Sequence, residues 1–351
     1  MSQMVEKGVF NIPLLSNELD AEIQHKIDMK TKPQGSLGRL ESLAAQIARL
    51  QHTLSPCTDT AMHLVFAADH GVCEEGVSPF PQEVTAQMVL NFLQGGAAIN
   101  VFCRHNNVGL KVIDAGVKTS LPEHPDLVSC PVASGTRNFA QEAAMSAGEL
   151  AQCLQTGAEM VDCWAADAQV LSLGEMGIGN TTTAAAVLAA LLNIPARDIV
   201  GAGTGASPEM QVHKAQVIQA ALERHQTHQL SPLEILQSVG GLEIAMMTGA
   251  FLRGAALKKL LVVDGFIATS AWMVAYQLSP HIRDYTVFAH QSHEQGHQPI
   301  LSQLGIVPLL TLDMRLGEGT GAIAAIPLIR LATAFLNEMA SFDDAGVSQS
   351  A

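Results

Sequence analysis

Between about residue 60 and residue 290 the chain repeats one pattern: a short β-branched or apolar run, a turn of glycine and polar residues, then a stretch with helical periodicity. Parallel strands cannot be joined by a hairpin, so each crossover needs a returning helix, and this alternation marks a parallel α/β sheet. The candidate strands are His63–Ala67, Leu110–Asp114, Ala168–Leu173, Asp198–Ala202, Leu260–Asp264 and Tyr285–Ala289. They are nearly continuous in apolar side chains rather than alternating, as strands covered on both faces are. Six such runs predict a Rossmann-like, mostly parallel six-stranded sheet with helices on both faces, occupying residues 59–321.

The two ends differ. Ser36 precedes Leu37, Leu40, Ala44, Ile47 and Leu50, whose spacings of three and four describe an amphipathic helix with an N-cap. Ala322–Met339 is also helical in pattern, with Ile326, Ile329, Leu336 and Met339 available for a buried stripe. The simplest packing joins residues 1–58 and 322–351 in a small helical domain beside the sheet. The polar final ten residues are expected to fray.

Composition narrows the function. Apolar residues make up 48% of the 351, charged residues 15% and aromatics 4%, which describes a tightly packed chain of small side chains. Nineteen Lys and Arg stand against 33 Asp and Glu, a net charge of −14 without any basic run, and this argues against nucleic acid as a partner. The six cysteines are scattered without a CxxC pair and are expected to be free thiols in a reducing compartment. Glu6 and Lys7 interrupt the N-terminal segment before it reaches signal-peptide length. The charge-free span from Met176 to Ala196 is continuously apolar only over Ala184–Leu192, short of the ~20 residues a bilayer needs. A cytoplasmic protein without a membrane span is the expectation.

Polar residues gather just after the apolar runs: Asp69-His70-Gly71, Asp114-Ala115-Gly116, Gly174 to Gly177, Gly201 to Gly205, Asp264-Gly265 and His290 to His293. In an open parallel sheet ligands bind beyond the carboxyl ends of the strands, so six loops of this kind imply one composite small-molecule site. Two of them suit phosphate. In GEMGIGNTT the glycines Gly174, Gly177 and Gly179 allow close backbone approach, and Asn180 or Thr181 opens an Ala-rich helix whose first amides attract an anion. In GAGTGASPEM the same reasoning applies to Gly201, Gly203 and Gly205, with Lys214 one helix length on. GAGTGA also fits the loose dinucleotide pattern, but no following strand ends in a ribose-binding acid. Residues 293–297 spell HExxH, which binds zinc only on a regular helix; here it follows a strand-like run and contains Gly296, so a polar loop at a strand end is the better reading.

Glu318 lies between Gly317 and Gly319, directly before an apolar helix. Two roles fit. In an apolar pocket its pKa would rise toward that of a general base working near neutrality, whereas on the surface it would simply complement the helix dipole.

Seven segments together resemble one family. KPQGSLGRLESLA (32–44), AADHGV (67–72), VSPFPQEVTAQM (77–88), GEMGIGNTT (174–182), VGGLEIAMMTGAF (239–251), VDGF (263–266) and RLGEGTGA (315–322) look like the nicotinate-nucleotide:dimethylbenzimidazole phosphoribosyltransferases, in order along essentially the whole chain. The resemblance implies transfer of phosphoribose from nicotinate mononucleotide to 5,6-dimethylbenzimidazole, with inversion at the anomeric carbon and neither metal nor other cofactor. It implies Glu318 as the base and Glu175 as a second carboxylate near the reacting centre. The nucleotide would be held by Gly177, Gly179, Asn180, Thr181, Gly203, Lys214, Asp264 and Ser292, and the base by Phe80, Gln87 or Met88, and Leu316. It further implies a homodimer in which the small helical domain of one subunit helps close the site of the other.

Overall fold

The structure is a computed structural model that describes residues 10–201, 203 and 205–348. Among these residues one sheet contains six parallel strands: β1 (Ala61–Ala68), β2 (Gly109–Gly116), β3 (Leu127–Ser129), β4 (Val170–Met176), β5 (Leu260–Val263) and β6 (Thr286–Phe288). Their order is β3-β2-β1-β4-β5-β6, and every neighbouring pair is parallel. From Met62 to Ala68 every residue of β1 is buried, which requires cover on both faces. The helices supply it: α1 (Asp20–Asp28), α2 (Arg39–Gln51), α3 (Glu83–Leu93), α4 (Ala98–His105), α5 (Ala147–Trp164), α6 (Asn180–Leu192), α7 (Pro208–Arg224), α8 (Pro232–Val239), α9 (Leu242–Ala256), α10 (Phe266–Leu278), α11 (His297–Gln303), α12 (Thr320–Glu338) and α13 (Phe342–Ala345).

Five of the six expected strands are present. The run placed at Asp198–Ala202 is not one: Ala196–Asp198 is a short 3-10 turn, Ile199 and Val200 are buried in coil, and Ala202 lies outside the described residues. The place beside β4 is taken by β5, so those apolar residues pack as a loop instead. The sixth strand is β3, three residues flanked by Pro122, Pro125 and Pro131, too short for any periodicity to reveal. β4 runs to Met176 rather than ending at Leu173, so Gly174 and Glu175 belong to the strand, paired with Val65 and Phe66 of β1.

Helix α9 is nearly all buried and packs against β1, β2, β4 and β5, while α5 lies along it. At the other side α12 packs on α2 and α4, and α2 on α1. By length and apolar composition α12 could cross a bilayer, but 56% of its apolar window is buried inside the fold, which makes it a core helix. All six cysteines are unpaired.

Candidate active site

A sheet ordered 3-2-1-4-5-6 reverses its winding direction between β1 and β4, and the loops leaving those two strands diverge to open a crevice at their carboxyl ends. A cavity of about 350 Å³ lies there, lined by residues that follow β4, β5 and β6, by the segment 77–88 and by the loop into α12. Part of its lining is acidic. Glu175, Asp264 and Glu318 all face this cavity and are 6%, 5% and 5% exposed. Burial pushes the Glu175 carboxyl up to about 8, and the negative fields of Asp264 and Glu243 add to it, against a hydrogen bond from the Asn180 amide. Burial also raises Glu318, with Asp264 reinforcing the shift and the Ile99 amide opposing it. Asp264 is raised by burial as well, although His290 and backbone amides partly offset the cost.

The backbone around Glu318 is held from several sides. Gly317, Glu318 and Gly319 have φ of 87°, 62° and 85°, three consecutive residues in the left-handed region, which glycine enters at no steric cost and glutamate does not. A Cβ on Gly319 would fall 2.0 Å from the His63 ring, and one on Gly317 would fall 2.4 Å from a Glu175 carboxylate oxygen. Gly319 is thus required by packing as well as by backbone angle, and Gly317 by backbone angle. His63 donates from Nε2 to the Glu318 carbonyl at 2.9 Å, and its Nδ1 accepts from the Ser172 hydroxyl at 2.7 Å. That arrangement fixes the tautomer, because the carbonyl can only accept. The ring stays neutral, since burial lowers its pKa to about 4. With its main chain fixed, Glu318 directs one carboxylate oxygen to the Ile99 amide at 3.1 Å, at the start of α4. The carboxylate is therefore buried on the cavity wall rather than exposed on the surface, and the helix amide it accepts from opens α4, not the helix that follows it in sequence.

A buried lysine and a helix start lie beside these carboxylates. Helix α6 begins at Asn180 after Gly179, whose φ is 96°. Lys214, only 3% exposed, reaches back from α7 to place Nζ 3.2 Å from the Thr181 hydroxyl. Between them passes Gly203, strapped at both poles of its peptide groups: its N–H donates to Glu294 at 3.1 Å and its carbonyl accepts from Arg315 at 3.1 Å.

Of the residues named from sequence, the cavity brings together Glu175, Gly177, Gly179, Asn180, Thr181, Gly203, Lys214, Asp264, Ser292, Phe80, Met88, Leu316 and Glu318. Gln87 is not among them. It sits on the exposed face of α3, whereas Val84 and Met88, one turn apart, face the cavity. The lining residues given no site role from sequence include Arg315, Glu294 and His290. The HExxH residues do not converge: His293 is exposed near Asp313, while His297 opens α11, buried against Thr269.

A cavity at the switch point of a Rossmann-order sheet, lined by buried carboxylates, a buried lysine and a helix N-terminus, is where an α/β protein of this class holds a small ligand. Comparison with known proteins sharpens that class. A family model described as "Phosphoribosyltransferase" matches residues 12–347. The nicotinate-nucleotide–dimethylbenzimidazole phosphoribosyltransferase of Cupriavidus taiwanensis is 50% identical over 338 residues, covering 96% of this chain and 97% of that protein. The protein of the same name from Photobacterium profundum is 48% identical over 341 residues, covering 97% and 100%. A crystal structure of the Thermus thermophilus enzyme of that name superimposes with a TM-score of 0.91 at 44% identity, covering 96% of this chain and all of that one. The chain belongs to the nicotinate-nucleotide:dimethylbenzimidazole phosphoribosyltransferase family and is a pentosyltransferase.

Proposed function

We propose that this enzyme transfers the phosphoribosyl group of nicotinate mononucleotide to 5,6-dimethylbenzimidazole, giving α-ribazole 5′-phosphate and nicotinate with inversion at the anomeric carbon. The observation that carries the reading is that one cavity is lined both by buried carboxylates and by a buried lysine beside a helix start. The 5′-phosphate lies among Thr181, Gly203 and Lys214, where helix amides and the ammonium both favour an anion. C1′ then lies near Glu175, Asp264 and Glu318, which line the same cavity.

A ring nitrogen of the benzimidazole attacks C1′ as the bond to the nicotinate nitrogen breaks. The electron pair of that bond returns to the pyridine ring, so the leaving group departs uncharged at nitrogen and needs no proton. Attack makes the N–H of the incoming base acidic, and Glu318 removes that proton through the carboxylate. Its raised pKa brings it closer to neutrality and strengthens it as a base. Glu175, pushed to about 8, holds its proton at neutral pH, which suits a hydrogen-bonding wall for the ribose better than a second base. Holding both reactants in one cavity removes the entropy of their encounter in advance.

Phe80, Met88 and Leu316 would bound the heterocycle. Phe80 and Leu316 are 44% and 54% exposed, which fits a rim that a second protomer covers through its small helical domain, residues 1–58 and 322–351. A cytoplasmic homodimer requiring no metal or cofactor completes the proposal.

The test is to mix the protein with nicotinate mononucleotide and a panel of benzimidazoles, purines and phenols, and to follow nicotinate chromatographically. Release that depends on both protein and 5,6-dimethylbenzimidazole is expected; release no faster than without protein would overturn the reading. Lys214→Ala should raise KM for the nucleotide about 10- to 100-fold, the range for loss of a charged hydrogen bond, and leave KM for the base nearly unchanged.

A further inference from the structure

The loop Gly177-Ile178-Gly179 joins β4 to α6, lines the cavity and leads into the helix start assigned above to phosphate. With a glycine on each side, the Ile178 peptide has few local restraints, and its orientation must be imposed from outside the loop. Among the described residues three side-chain contacts do so. The Ile178 N–H donates to the Thr85 hydroxyl oxygen at 3.1 Å, the Cys73 thiol donates to the Ile178 carbonyl at 3.1 Å, and the Thr183 hydroxyl lies 3.0 Å from His70 Nδ1.

The three are unequal. Burial pushes the Cys73 thiol up to about 11, so it keeps its proton and can donate, but a thiol is a weak donor. His70 holds α6 past the loop, at Thr183. The bond to Thr85 is buried, and a buried N–H deprived of its acceptor bears the full cost of desolvation. Thr85 itself belongs to α3, where its neighbours Val84 and Met88 face the cavity on the side assigned to the heterocycle.

We propose that Thr85 is a positioning residue for the nucleotide: its hydroxyl orients the Ile178 peptide, and with it the loop that presents the start of α6 to the 5′-phosphate, although Thr85 stands on the helix that borders the base. The proposal rests on the nucleotide reading above and deepens it. Position along the chain assigns Thr85 to the base, as it does Val84 and Met88, whereas its hydrogen bond assigns it to the phosphate. The two assignments differ in which Michaelis constant responds.

Thr85→Val keeps the shape of the side chain and removes the acceptor; Thr85→Ser keeps the acceptor. Nicotinate release gives KM for each substrate, and calorimetry gives Kd for nicotinate mononucleotide alone. Thr85→Val should raise KM and Kd for the nucleotide about 5- to 50-fold, the range for a buried donor left unpaired, and hold KM for 5,6-dimethylbenzimidazole within about twofold. Thr85→Ser should restore the nucleotide values to within about threefold of wild type. Val84→Ala should do the reverse of Thr85→Val, raising KM for the base and sparing Kd for the nucleotide. Should Thr85→Val not fold, Thr85→Cys takes its place: a thiol accepts weakly, and the nucleotide Kd should rise severalfold. The proposal fails if removing the acceptor leaves the nucleotide Kd unchanged, if both KM values rise together, or if Ser is as impaired as Val, the mark of a merely structural contact. Should wild type release no nicotinate, the transferase reading falls, while the nucleotide Kd of wild type and variants still decides the role of Thr85. A wild type that binds no nucleotide would remove both.

Discussion

The two ends of the cavity wall that would meet the incoming base are built in opposite ways. At the deep end Glu318 is held by left-handed backbone, by the His63 hydrogen bond to its carbonyl, by the Ile99 amide on its carboxylate and by the contact of its carbonyl with Gly174, where a Cβ would stand 2.2 Å away. At the rim Phe80 and Leu316 leave 44% and 54% of their surface exposed. The deep end is over-determined, and such rigidity suits chemistry, where a carboxylate must already be in place when charge develops. The rim is under-determined in one chain, which suits selection among flat heterocycles. Catalysis and base preference should therefore respond to different residues.

The sharpest break would come from Glu318→Gln, which keeps the carbonyl oxygen for Ile99 but cannot take a proton. A kcat loss of about 10²- to 10⁴-fold at saturating substrates is expected, measured by nicotinate release, with little change in melting temperature. Gly319→Ala attacks the scaffold instead. Its methyl group would collide with His63 while the backbone stays left-handed, so a loss of about 2–5 kcal/mol in unfolding free energy is expected by denaturant titration. Unchanged stability would mean that the loop is looser than its contacts imply.

Titration supplies a third probe. A carboxyl whose pKa is raised on folding stabilises the fold below its unfolded value and loses that contribution as pH rises through its folded value. For Glu175 the window runs from 4.5 to about 8. Melting temperature should accordingly fall as pH rises through that window, and Glu175→Gln should flatten the slope. The smallest effect belongs to the rim: Phe80→Ala should raise KM for the base about fivefold, the worth of a partly buried aromatic, with kcat nearly intact. A large kcat loss there would erase the contrast between the two ends.

What could be read from sequence follows the same division. Strands buried on both faces are continuous apolar runs, and β1, β2, β4, β5 and β6 were legible for that reason, whereas β3 has three residues and no pattern to show. Gly174 looked like a strand terminator, but it is a strand residue that must be small because the Glu318 carbonyl presses on it, a fact of tertiary contact. Likewise Gly317 and Gly319 were legible as a frame for a carboxylate, while their true neighbour, His63, was hidden inside an apolar run 255 positions from Glu318. Gln87 was misplaced by one residue, and one residue on a helix is about 100° of rotation, enough to turn a side chain from the cavity to solvent. Glu294 was visible only as part of HExxH, a pattern whose local spacing says nothing of the Gly203 amide it holds.

The central claim concerns where the carboxylate of Glu318 stands relative to the entering ring. A crystal structure with 5,6-dimethylbenzimidazole bound tests it directly. A Glu318 oxygen within about 2.6–3.2 Å of the ring nitrogen that bears hydrogen is the expected result. A ring seated elsewhere in the cavity, with that nitrogen facing solvent and the carboxylate bonded only to the Ile99 amide, would contradict the account.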